Sequence, residues 1–107
     1  MKEEKDTMSE KVIENNKVSV IGTVVSGFTF SHEVFGEGFY LVDLKVNRLS
    51  DQTDVIPLLV SERLMDVKTD YTGSTIEAIG QFRSYNRHEG VKNRLVLSVF
   101  VREVNFL

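Results

Sequence analysis

The chain has 107 residues, no cysteine and a formal net charge of -3. That length predicts one domain with a single core. A hydrophobic content of 41% and a charged content of 27% match an ordinary globular protein, with no apolar run near the ~20 residues of a membrane helix. The absence of cysteine excludes disulfides and thiolate chemistry, and no apolar stretch of a secretory signal follows the N-terminus, so a cytoplasmic location is expected.

Residues 1–15 are charge-rich and nearly free of apolar groups, which predicts a flexible arm ahead of a domain over 16–107. From Lys17 to Val25 the β-branched residues predict a first strand, with Gly22 marking a bend. Residues 26–38 carry three glycines and predict a long loop. Phe39 to Val46 alternates, with Tyr40, Val42 and Leu44 on the core face and Leu41, Asp43 and Lys45 on the other. Asp54 to Val60 predicts a third strand that is an edge or bulged at Pro57. Leu64, Met65 and Val67 are spaced for a short helix within Ser61 to Tyr71. Ser74 to Phe82 and Leu95 to Val104 predict the fourth and fifth strands, with Phe82 in the core.

The predicted fold class is therefore all-β: a five-stranded OB-fold, a Greek-key barrel with one short helix between strands 3 and 4. In that plan the loops between strands 1–2 and 4–5 flank the binding face. They correspond here to residues 26–38 and 84–94.

Charge is unevenly spread along the chain. Residues 17–79 hold five bases and nine acids, whereas residues 80–94 hold Arg83, Arg87, Lys92 and Arg94 against Glu89 alone. A basic hairpin with Tyr85 at its root, on an otherwise acidic chain, points to contact with a polyanion. Candidate nucleic-acid contacts are Arg83, Tyr85, Arg87, Lys92 and Arg94, with Lys45, Arg48 and the loop residue Phe35 as further candidates. Each has a plainer alternative. Arg83 is equally placed to pair with Glu77 or Glu103 across strands, and Lys92 and Arg94 to keep a hairpin soluble.

Asn16-Lys17-Val18 with Gly22, then Thr53-Asp54 with Leu58 to Leu64, then Gly73-Ser74, Ile76 and Gly80-Gln81-Phe82-Arg83 resemble the bacterial single-stranded-DNA-binding protein family. The resemblance spans about residues 16–106 and implies an OB-fold homo-oligomer, tetramer or dimer, that coats single-stranded DNA in replication, recombination or repair. It also implies a nucleoid-associated location and replication proteins as partners. The chain departs from the family pattern in having Val55 and Ser61 where stacking aromatics are usual, no tryptophan, and no acidic C-terminal tail after Leu107. A primosomal-type or mobile-element protein that acts mainly as a protein–protein module with weak DNA affinity is the alternative.

Nothing points to catalysis or to a cofactor. His32 and His88 lie apart, and no phosphate-binding loop, nucleophile motif or metal-ligand spacing is present.

Overall fold

The structure is a computed structural model that describes residues 16–107; residues 1–15, and so the predicted arm, lie outside the described residues, as do the side chains of Tyr85, Arg87 and Glu89. Six strands follow one another along the chain: β1 (Val18–Val24), β2 (Thr29–Val34), β3 (Glu37–Asn47), β4 (Thr53–Ser61), β5 (Thr75–Glu89) and β6 (Lys92–Phe106). They form one sheet in the order β1-β5-β6-β4-β3-β2, and a further pairing of β1 with β3 closes β1, β5, β6, β4 and β3 into a barrel. The five-stranded barrel expected from the sequence is present.

Closure depends on a missing side chain. β1 meets β3 at Thr23–Lys45 and Val24–Leu44. A Cβ on Gly22 would overlap the Lys45 carbonyl oxygen, so only glycine lets β1 cross onto β3. Gly80 does the same where β5 crosses β6. Its Cβ would overlap the Phe100 carbonyl, and the register slips between Ile79 and Gly80. Pro57 sits opposite Asp43 in a part of β4 whose other edge is uncovered, because β4 pairs with β6 only at Leu58 and Leu59. The missing N–H therefore costs no ladder bond.

The core follows the predicted alternation. Val42 and Leu44 of β3, Leu58 and Val60 of β4, Ile76 and Ala78 of β5, and Val99 and Val101 of β6 are buried together with Val24. Phe82 departs from expectation. It pairs with Val99 but is 41% exposed, because it lies where β5 leaves the barrel.

Two connections differ from the sequence reading. The predicted helix over 61–71 is absent: the described residues contain no helix, and residues 62–74 form successive turns. The side chains of this segment explain why. Asp66 accepts bonds from the Lys68 amide (3.1 Å) and the Thr69 hydroxyl (2.8 Å), and Asp70 accepts from the Thr72 amide (3.0 Å) and hydroxyl (2.7 Å). Such local bonds compete with a helical ladder. Met65 alone of the expected apolar face is buried, packing into the core.

The two predicted loops are also largely strand. Residues 29–34 pair with the first half of β3 as a hairpin. Residues 84–94 are the outer part of a 15-residue by 15-residue ribbon of β5 and β6, paired out to Glu89–Lys92 around Gly90.

Candidate nucleic-acid interface

The outer face of β3 and β4 is set by the same alternation that builds the core. Phe39, Leu41, Asp43 and Lys45 point away from the core and lie opposite Ser61, Leu59, Pro57 and Val55. β6 extends this face through Phe100, which pairs beside Leu59. The β2–β3 hairpin stands at one side and the β5–β6 ribbon at the other, so the face is a floor between two walls.

One end of this floor carries a run of neighbouring planar groups, of which His32 and Phe39 are stacked. The Arg83 guanidinium lies over the Phe100 ring at 4.1 Å from its centroid. Phe100 is 6.0 Å from Phe39 with planes tilted by 32°, and Phe39 stacks on His32 at 5.0 Å with planes 11° apart. Four strands contribute one group each. Arg83 and Phe100 are brought together because the slip at Gly80 sets Gln81 opposite Phe100 and Arg83 opposite Ser98. Ser98, itself buried, donates to the Arg83 carbonyl at 3.2 Å and fixes that strand crossing.

A polar clasp holds the Phe39 end. The Ser61 hydroxyl donates to Glu37 and accepts from the Arg63 amide at 3.1 Å. The Glu62 carboxylate accepts from the Gly38 amide at 2.8 Å, while the Glu62 amide donates to the Gly38 carbonyl at 2.9 Å. These bonds bind both residues that precede Phe39 to the end of β4. Ser61, which stands where the resemblance implies an aromatic, is a buried clasp residue and not a platform.

The other end of the floor is a groove of about 670 Å³ between the outer face and the root of the ribbon. Leu41, Asp43, Val55 and Pro57 line one side, and Arg94 to Leu97 the other. Between groove and stack a smaller hollow of about 170 Å³ is lined by His32, Leu41, Leu59 and Ser98. Val55, Leu95 and Leu97 are more than half exposed, so apolar side chains stand open to water beside the polar Ser26, Thr29, Asp43 and Arg94 of the same groove.

The residues singled out in the sequence fall into three groups. Arg83 belongs to the stack, Arg94 lines the groove, and Lys45 extends the floor beyond Asp43, exposed between Thr23 and Val55. Lys92 and Arg94 are exposed on the ribbon, where the backbone sets Tyr85 opposite Val96 and Arg87 opposite Arg94; the side chains of Tyr85 and Arg87 lie outside the described residues.

Two candidates stand apart. Arg48 is bound by Asp54 through two charge-assisted bonds of 2.6 and 2.7 Å, which raise the basicity of the guanidinium and hold the Asp54 carboxyl below the usual carboxylate range. Its charge is already matched. Phe35 sits at the tip of the β2–β3 hairpin, fully exposed, with φ of 49° followed by Gly36 at 81°. Two positive φ values are those of a type I′ turn, an uncommon conformation for a phenylalanine. Glu77, offered as a partner for Arg83, instead accepts bonds from Ser19 and Asn105.

Sequence reasoning missed His32, Phe39 and Phe100 as one unit. The available signal was the phase of β3: extending the Leu41, Asp43, Lys45 row back by two places puts Phe39 on the outer face.

No protein-family profile and no curated protein sequence matches the chain. Solved structures do. The dimeric N-terminal domain of the PriB protein from Thermoanaerobacter tencongensis is 38% identical, with a TM-score of 0.72 over 88% of this chain and 98% of that one. A Plasmodium falciparum single-strand-binding protein in complex with single-stranded DNA is 16% identical, with a TM-score of 0.69 over 90% of this chain and 97% of that one, which is a likeness of fold. At 38% identity across nearly all of that domain, the chain belongs to the family of the PriB N-terminal domain.

Proposed function

We propose that the protein binds single-stranded DNA across the outer face of β3, β4 and β6, without catalysing a reaction. The observation that carries this reading is the Arg83–Phe100–Phe39–His32 stack. Unpaired bases expose flat faces that stack on aromatic and guanidinium planes at about 1–3 kcal/mol each. A row of such planes across four strands offers that contact without reading a base edge. Lys45, Lys92 and Arg94, with Arg87 on the ribbon, supply the phosphate contacts, and Phe35 extends the platform from the hairpin tip. A protein with a net charge of -3 needs its cations on one side for this purpose, and the ribbon meets that need.

The family supports the reading in two ways. A relative of the same fold is seen with single-stranded DNA, and the PriB domain is a dimer. We therefore assign the chain to a homo-oligomer that serves replication, recombination or repair in the cytoplasm, alongside other replication proteins. Among the described residues no helix is long and apolar enough to cross a membrane.

Titration of a labelled oligonucleotide tests the proposal. Replacing Phe39 or Phe100 with alanine is expected to weaken binding about tenfold or more, in keeping with one lost stacked base. Unchanged affinity in both variants would remove the stack from the site.

A further inference from the structure

His32 reaches the outer face through an irregularity in β2. Phe30 pairs with Tyr40 and His32 with Phe39, so Ser31 is an extra residue in the strand. In a regular ladder residues 30 and 32 share a face. The bulge separates them. The Phe30 ring meets Tyr40 at 5.5 Å, edge to face, while His32 turns to the other side and stacks on Phe39. Ser31 also braces the imidazole, because its hydroxyl lies 3.0 Å from His32 Nδ1. The hydroxyl suits either charge state. It can donate to Nδ1 of the neutral ring, leaving the proton on Nε2, and accept from Nδ1–H of the imidazolium. In both arrangements Nε2 carries a proton, and it has no hydrogen-bond partner among the described residues.

The charges around His32 are few and already placed. On β3, Glu37 lies two residues before Phe39 in the same row, but its carboxylate is met by the Ser61 hydroxyl and by Arg63 at 3.6 Å. Glu62, at the end of β4, is bound to the Gly38 amide. Asp43 lies four residues beyond Phe39, at the groove. Glu33, next in β2, alternates to the opposite face. The hollow beside the ring is lined by Ser31, Leu41, Leu59 and Ser98, none of them charged. Arg83 of β5 stands at the far end of the row, beyond Phe39 and Phe100. His32 forms no ion pair among the described residues, so a charge gained on its ring stays open to an outside anion.

We infer that His32 ends the row with a phosphate contact, its Nε2–H donating to a backbone oxygen of the strand, and that this contact turns cationic in mild acid, so that single-strand affinity rises as pH falls from about 8 to about 5.5. This rests on the single-strand binding proposed above and adds a pH dependence to it. Histidine is the side chain that ordinarily changes charge in this range, whereas arginine and lysine stay charged and carboxylates stay ionised.

The test titrates oligo-dT, whose bases and phosphodiesters keep their charge over this range, at both pH values and equal ionic strength. The parent is compared with His32→Gln and His88→Gln, which together account for both histidines of the chain. The parent is expected to bind about fivefold tighter at the lower pH, with the slope of log K against log salt steeper by about 0.7. His32→Gln keeps a donor that never charges. Loss of the ring lowers its affinity at both pH values alike, so the ratio between them should fall to about one. His88→Gln should keep the parent's ratio. His32 is exposed, so its replacement leaves the barrel intact. Equal affinity of the parent at the two pH values, a ratio that survives in His32→Gln, or a ratio lost in His88→Gln overturns the inference and leaves single-strand binding standing. Failure to bind at either pH overturns both.

Discussion

The Arg83 guanidinium lies 4.1 Å from the centroid of the Phe100 ring, so its charge is spread over a π face on one side and offered to solvent on the other. This changes what Arg83 is for. A point charge aimed at phosphate tolerates lysine; a planar group that forms one leaf of a stack does not. Arg83→Lys is therefore expected to lose nearly as much oligonucleotide affinity as Arg83→Ala, about fivefold to tenfold by fluorescence anisotropy. Full retention of affinity by the lysine variant would show that Arg83 acts through charge alone. Because the side chain is exposed, thermal stability should change by less than ~0.5 kcal/mol in either variant.

Phe35 is expected to set stability against binding. Its left-handed backbone at φ of 49° is strained for an aromatic residue, while the next residue, Gly36, already suits a type I′ turn. Phe35→Asn places the preferred Asn-Gly pair in that turn. It is expected to raise stability by about 1 kcal/mol in urea denaturation and to weaken oligonucleotide binding. A gain in stability with no loss of affinity would mean that the exposed ring touches nothing.

Arg48 and Asp54 neutralise one another at the surface through bonds of 2.6 and 2.7 Å. Arg48→Ala should leave DNA affinity nearly unchanged. Asp54→Asn should free the guanidinium and steepen the dependence of log K on log salt by about 0.7. The pair also has a pH signature. The Asp54 carboxyl is held down chiefly by its bond from Arg48, and Asp66 and Asp70 are held down by their bonds from Thr69 and Thr72. A carboxyl lower in the folded state than in the unfolded chain adds stability that is complete above the unfolded value near ~3.9 and is lost as pH falls through the folded value. Thermal midpoints should be flat from neutral pH to about 5 and fall below about 4, with a shallower acid limb in Asp54→Asn. Identical acid limbs would contradict this.

The clasp at Ser61 is expected to act on DNA through Phe39. Ser61→Ala removes the donor to Glu37 and the acceptor of the Arg63 amide, at a cost of about 1–3 kcal/mol in urea. It should also weaken oligonucleotide binding in the parent background but add little in Phe39→Ala, since the ring it positions is already gone. Additive losses would place the clasp outside the site.

The barrel was legible in the sequence wherever a strand has one wet face and one dry face. Val42 and Leu44 alternate with Leu41 and Asp43 because the core demands it. β2 gave no such signal: every residue from Thr29 to Val34 is exposed, so pairing with β3 leaves no period-2 trace. The ribbon hid for a related reason, since Leu95 and Leu97 keep the alternation of β6 beyond the barrel but stand in water at 70% and 56% exposure. The segment 61–71 carries a misleading signal, because Leu64, Met65 and Val67 have helical spacing while Asp66 and Asp70 bond to the backbone locally. Asn16, part of the family resemblance, is structural. Its side-chain amide exchanges two bonds with the Phe82 backbone, at 3.0 and 3.1 Å, and extends the β1–β5 ladder by one rung. The stack was out of reach because its four members are scattered from residue 32 to residue 100 and meet only when the barrel closes.

The central claim is that the outer face of β3 and β6 holds single-stranded DNA by stacking while the ribbon holds its phosphates. Titration of the double variant Phe39→Ala/Phe100→Ala against the parent, at two salt concentrations, tests this most directly. With about four phosphate contacts the parent should show a slope of log K against log salt near -3. The account predicts that the double variant binds about a hundredfold or more weaker with the same slope. A parent that fails to bind at low salt, or a double variant that keeps its affinity, would contradict it.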